Sequence, residues 1–355
     1  MLPAPTENDS RSSLADWLEL HALFSPRRTS SKGDLLNAFD IADDDRASRY
    51  SHDEVTGEQL DQGILEEPRL ALLECVFEEL EFRHKCLGES YPFAVDERRQ
   101  VLRASFKEEQ LHAGQVAYTF CLLTTALRER LIAGLDDQAK LEHEMALLFQ
   151  VCASLAAGGY FGGAVCSFGF PRETGDAFLP ALQAAYLRFG HGDVKTAIEQ
   201  GHPQAVKDSG IDVIAWRDHP DRLPSKLYSL GQCASGTDWK QKPVASEVGQ
   251  FHGTWFTNWP SQHYVPALYI PFLIHGEVDE PKGESFAVVR KRTVAYHERK
   301  FGVIFDRLRI AHHAAACLER GEIARQDVDG SARVLDVANW VNRTVQRVLA
   351  NGEAA

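Results

Sequence analysis

Two short apolar runs, residues 211–216 (I-D-V-I-A-W) and 227–233 (L-Y-S-L-G-Q-C), face each other across a ten-residue polar loop. Alternation along a strand puts Asp212, Ile214 and Trp216 on one face of the first run, with Ile211, Val213 and Ala215 on the other. A carboxylate inside a run that is apolar on both sides is costly unless its charge is offset. Backbone donors, an arginine (Arg217, Arg307 or Arg309) or a metal ion would offset it. Gln232 closes the second run, directly before the small residues Cys233, Ala234, Ser235 and Gly236. Acid and carboxamide therefore enter one pocket from adjacent strands, with lysines just beyond. Such hard oxygen donors suit Mg2+ or Mn2+, an ion that keeps several waters and accepts phosphate oxygens. A site of that kind acidifies a bound water and neutralises charge on a scissile phosphate.

The rest of the chain divides by character. At 355 residues it is long enough for two domains, or for one with substantial helical extensions. Residues 1–12 read as disordered and 14–24 as a short amphipathic helix. Residues 25–33 are turn-prone, and apolar residues recur at helical spacing over 70–86 and 115–135. From 136 onward the pattern predicts a helix over 139–157 ended by Gly158-Gly159, a strand over 164–170 and a helix over 178–189. Strands follow at 211–216, 227–233, 265–274 and 302–311, then an amphipathic helix at 331–350. A strand, a crossover through 246–256 and a further strand imply a mixed sheet packed by helices. The expected class is α+β. A helical N-terminal region (1–135) precedes a sheet-bearing domain (136–315) and a C-terminal helical extension (316–355).

The G-I-D segment with Asp212, the L-G-Q-C strand end with Gln232 and this element order resemble the restriction endonuclease-like, or PD-(D/E)xK, nuclease superfamily. The resemblance covers roughly residues 139–311. It implies that Asp212 and Gln232 hold a divalent metal, that a lysine orients the attacking water, and that a glutamate from the preceding helix assists. Two positions depart from the pattern. Ala234 stands where the family has its lysine, leaving Lys242 or Lys240 to fold back into the site. In A-L-L-F-Q-V, Gln150 stands where the family has glutamate, and Glu144 is the nearest strong carboxylate, with Glu142 a weaker choice. The implied activity is Mg2+-dependent hydrolysis of DNA, in restriction or antiphage defence. The rival is a nuclease-fold subunit that binds nucleic acid or a partner protein, alone or as an oligomer, and has lost the chemistry.

Charge bears on the partner. The formal net charge of -13 excludes a non-specific nucleic-acid coat protein. Between Lys282 and Arg309, however, eight basic residues stand against three acidic ones. Arg290, Lys291, Arg292, Arg299, Lys300 and Arg307 are the expected contacts to a phosphate backbone; the alternative is a plain solvated face. No apolar run reads as a membrane span and no signal peptide is visible, so a cytoplasmic protein is expected. Seven cysteines without a C-x-x-C pair read as free thiols. Phosphate-loop, dinucleotide and hydrolase-elbow motifs are absent. His202, His219 and His252 lack partners at metal-ligand spacing, and the four tryptophans between 216 and 259 read as core residues.

Overall fold

A computed structural model describes residues 2–50, 62–105, 112–132, 138–172, 175–199, 206–260, 263–274 and 285–353. It is an α+β fold with mixed sheets. The chain begins with α1 (Arg11–Phe24), capped by Ser10, whose hydroxyl accepts the Ser13 N–H at 3.1 Å. Residues 2–10, expected to be disordered, lie against this helix, and Trp17 Nε1 donates to the Pro3 carbonyl at 3.0 Å. Next come β1 (Thr29–Ser31), α2 (Lys32–Tyr50), α3 (Gln62–Leu87), β2 (Phe93–Asp96), β3 (Val101–Ala104) and α4 (Ala113–Arg128). The first third is thus not wholly helical: β1, β3 and β2 form an antiparallel sheet in that order.

The central sheet lies beyond it. Helix α5 (Gln138–Phe161) leads into β4 (Ala164–Ser167), α6 (Phe178–Phe189), β5 (Asp193–Val194), β6 (Val213–Arg217) and β7 (Leu227–Cys233). These are followed by α7 (Val244–Trp255), β8 (Phe256–Asn258), β9 (Val265–Tyr269), α8 (Phe286–Phe301) and β10 (Val303–Phe305). The chain ends with α9 (Arg307–Glu319), α10 (Glu322–Gln326) and α11 (Val334–Glu353). Strand order is β10-β9-β7-β6-β4. The β4–β6 and β6–β7 pairs are antiparallel, and the β7–β9 and β9–β10 pairs are parallel. Helix α5, a hairpin carrying the acid and the carboxamide, crossover helix α7 and strand β9 thus follow one another in the expected order. Strands β5 and β8 form a separate two-stranded ribbon.

Helices cover both faces of the central sheet. Val165, Val213, Ala215, Ala267, Tyr269 and Phe305 face the large core shared by α1, α3, α4, α5, α9 and α11. Ile214, Trp216 and Leu230 face α6 and α7, while Leu268 and Ile304 face α8. Helix α5 does not stop at Gly158-Gly159. Those glycines let α9 and its flank approach: a methyl on Gly159 would overlap the His313 carbonyl, and one on Gly158 would stand 2.9 Å from Cys317 Sγ and Val328. Packing therefore overrides the weak helix propensity of glycine. The window His143–Phe161 is long and apolar enough to cross a membrane, contrary to the sequence expectation, but 72 % of it is buried inside the protein. Its apolarity is that of a core helix. The stretch 302–311 is not one strand. Asp306 caps α9 by accepting the Arg309 N–H at 3.2 Å, which turns the chain from β10 into a helix.

That turn buries Arg307. Its Nη1 and Nη2 donate to Asp16 Oδ1 and Oδ2, each at 2.8 Å, and its Nε donates to the Pro271 carbonyl at 3.0 Å. Arg83 pairs with the same Asp16 (2.6 Å), with Glu19 (2.9 Å) and with Glu79 (2.9 Å). Tyr91 and Tyr118 donate to Glu19 at 2.6 and 2.7 Å. This network joins α1 and α3 to the start of α9. Arg307 is fully buried and is not a nucleic-acid contact, in correction of the sequence expectation.

Candidate metal site at the end of the central sheet

Asp212 leads into β6, and Gln232 is the penultimate residue of β7. The ladder between β6 and β7 ends at Val213 opposite Gly231, so Asp212 lies just before the paired residues, and Gln232 lies beyond Gly231 on β7. The Asp212 N–H donates to the Gly231 carbonyl at 2.8 Å, and its own carbonyl accepts the Phe168 and Gly169 N–H groups at 2.7 and 3.0 Å. Its Oδ2 accepts the Cys233 N–H at 2.7 Å. None of the three arginines considered as partners reaches it: among the described residues its carboxylate makes no ion pair. Asp212 is nearly buried, at 8 % exposure.

Gln150 meets Asp212 across Gly169. A methyl on Gly169 would overlap Asp212 Oδ1 and stand 2.8 Å from the Gln150 carboxamide carbon and oxygen, so both side chains press on the same bare Cα. The Gln150 Oε1 accepts the Ser167 hydroxyl at 3.2 Å. Glu144 is not brought in. It precedes Gln150 by six residues, a rise of about 9 Å, and it turns toward α11, where it meets Arg343 Nη2 at 3.4 Å and lines a cleft of ≈ 600 Å³. The Glu142 side chain lies outside the described residues.

Of the two lysines, Lys242 is the one whose charge reaches the acid. Burial pushes the Asp212 carboxyl up to about 7, and Asp208 adds to the rise; the Cys233 N–H and the Lys242 ammonium oppose it. Lys242 Nζ rests 2.9 Å from Asp238 Oδ2. Lys240 is exposed, with its ammonium over the Trp239 ring, 5.4 Å from the centroid. Ala234, two residues after Gln232, is fully buried. Asp208 was missed by the sequence reading. It precedes the apolar run, and its carboxylate is spent on a local turn, accepting the Gly210 N–H at 2.9 Å. Only the fold brings its charge to bear on Asp212. Cys233 is no nucleophile, because burial and then Asp212 push its thiol well above the usual range.

The donor set fits a hard divalent cation. The Gln232 Oε1 is buried without a hydrogen-bond partner, and among the described residues the Asp212 carboxylate makes no ion pair. An orphaned acceptor and a buried acid without an ion pair are each costly, and a bound cation would offset such a cost. Gln150 and Gln232 offer neutral oxygens that Mg2+ or Mn2+ accepts alongside water. Among the described residues no three His, Cys, Asp or Glu side chains gather, so the set is carboxylate plus carboxamide.

The basic residues of α8 divide. Lys291, Arg292, Arg299 and Lys300 are exposed. Lys300 Nζ donates to the Lys240 carbonyl at 2.6 Å, so the basic end of α8 adjoins the loop that carries Lys242. Arg290 turns inward, its guanidinium carbon 3.1 Å from the Phe82 ring centroid and 4.3 Å from that of Phe286. It is removed from the exposed basic face of α8, against the sequence expectation. All seven cysteines are free, Cys86 being exposed. His312 and His313 lie inside α9, and burial pushes His313 down to about 4. His252 is likewise buried, its ring held down to about 4.

No protein-family model, curated protein or solved structure matches this chain.

Proposed function

We propose that the protein is a metal-dependent nuclease of the restriction endonuclease-like class that hydrolyses DNA phosphodiester bonds in the cytoplasm. Restriction or antiphage defence is the setting its resemblance suggests. The observation that carries the reading is the meeting of Asp212 and Gln150 over Gly169 at the end of the central sheet, with the Gln232 Oε1 near the end of β7 buried without a hydrogen-bond partner. Asp212, Gln232 and Gln150 would hold Mg2+ or Mn2+. When bound, the ion would supply an acidified water and charge neutralisation at the phosphate.

The remaining work belongs to the chain. Lys242 replaces the family's lysine from the loop after β7 rather than from the strand itself. Leaving Asp238, its ammonium would orient the attacking water and stabilise charge on the phosphate. The Cys233 N–H fixes the Asp212 carboxylate, and the Ser167 hydroxyl fixes Gln150. Lys291, Arg292, Arg299 and Lys300 would hold the DNA backbone as point charges.

The replacement of glutamate by Gln150 and of lysine by Ala234 supports the second reading, a binding subunit of a defence complex that retains metal and nucleic acid without fast cutting. Incubation of supercoiled plasmid with Mg2+ or Mn2+, beside Asp212→Ala, separates the two. Metal-dependent nicking lost in the variant supports the enzyme. Equal inertness of both proteins, with DNA binding retained, supports the binding subunit.

A further inference from the structure

Phe170 lies in the loop after β4, and half of its surface is exposed. It follows Gly169, whose N–H bonds the Asp212 carbonyl and whose Cα backs the Asp212 carboxylate. Lys207, five residues before Asp212, is exposed and places its ammonium over the Phe170 ring, 5.5 Å from the centroid. The loop is anchored from within. Arg172 Nη1 donates to the Phe168 carbonyl at 3.3 Å and, at shorter range, to the Lys207 carbonyl, while its Nε donates to the Asp176 carbonyl at 3.0 Å. Its guanidinium also lies near the rings of Phe168, Phe170 and Phe178. A single exposed phenylalanine is ordinary. This one is held in place beside a candidate hydrolytic site and carries a cation on a flexible stem.

We infer that Phe170 and Lys207 form a stacking platform for an unpaired base of a single-stranded nucleic acid, which they feed to the Asp212 site. The inference deepens the nuclease reading and rests on it for the position of the reacting bond. A base in an intact duplex has both faces covered by its neighbours. An unpaired base offers a free face to the phenylalanine ring, and such stacking tolerates any sequence. On binding, the Lys207 ammonium leaves the ring for the adjoining phosphate, exchanging a weak cation–π contact for a charge pair. Arg172 is a positioning residue: it keeps the two loops in register and makes no contact with the nucleic acid.

The test measures binding apart from cutting. Labelled single-stranded DNA, single-stranded RNA and blunt duplex DNA of one sequence are titrated with the full chain in EDTA, and complexes are read by fluorescence anisotropy. Phe170→Ala should weaken single-strand binding by about 5- to 100-fold, the range expected for losing one base–aromatic stack, and leave duplex binding within about twofold. Phe170→Trp should retain single-strand affinity, and Lys207→Ala should reduce it and flatten its salt dependence. The DNA and RNA arms identify the sugar. Equal single-strand affinity of wild type and Phe170→Ala overturns the inference, as does an equal loss on duplex, or no single-strand binding by wild type. The nuclease reading fails or stands separately. If Asp212→Ala abolishes nicking while Phe170→Ala binds normally, the platform falls and the nuclease stands. If wild type never nicks yet Phe170→Ala loses single strands, the platform stands and the nuclease falls.

Discussion

Asp212 and Gln150 meet over the bare Cα of Gly169, one reaching it from the lead into β6 and the other from α5. That contact joins the sheet to its covering helix at the point where the hairpin ends. It makes Gly169 a test of the site that leaves both side chains in place. Gly169→Ala drives a methyl into Asp212 Oδ1 and against the Gln150 carboxamide. The expected result is a folded protein, by circular dichroism, that no longer gains thermal stability from Mn2+.

Metal-free stability should depend on pH through Asp212. Its folded carboxyl titrates at about 7 against an ordinary 3.8, so the folded state holds a proton that the unfolded chain releases. Stability is therefore full below the unfolded value and is lost as pH rises through about 7. A carboxyl raised that far loses on the order of 4 kcal/mol once both states are ionised. Urea melts in EDTA at pH 5 and pH 8 check this: wild type should weaken, and Asp212→Asn should weaken much less. Mg2+ at pH 8 should recover stability in wild type alone.

Lys242 and Lys240 should separate kinetically. Lys242→Ala, which removes the ammonium whose charge reaches Asp212, should lower single-turnover cleavage by about a hundredfold. Lys240→Ala should stay within a few-fold, because its side chain points to Trp239. Equal losses would return the choice between the two lysines to where the sequence left it.

Arg307 should behave as a structural residue. Arg307→Ala leaves the part-buried Asp16 with one partner fewer and should cost about 3–5 kcal/mol in chemical denaturation. Lys291→Ala, on the exposed face of α8, should leave stability within about 0.5 kcal/mol and weaken DNA binding instead.

What the sequence disclosed follows the range of the forces involved. Helix α6 and strand β7 coincide with their expected bounds, because apolar periodicity is local to each segment. Strands β2 and β3 were missed because each has four residues, with a charged side chain in each. Their pairing depends on the turn and on α1 rather than on their own pattern. Gly158-Gly159 looked like a helix end because the reason for them is the His313 carbonyl, more than 150 residues away. Residues 302–311 read as one strand because the Asp306 cap was overlooked, and that cap decides that Arg307 points inward. At the site, the hairpin made Asp212 and Gln232 visible. The place of Gln150, the nearness of Asp208 and the choice of lysine depend on how α5 and the loop after β7 pack against the sheet.

Metal-dependent nicking of supercoiled plasmid, wild type beside Asp212→Ala, tests the central claim most directly. The account predicts relaxed and linear products that require Mg2+ or Mn2+ and vanish in the variant. Undiminished cutting by Asp212→Ala, or none by wild type with either metal, would contradict it.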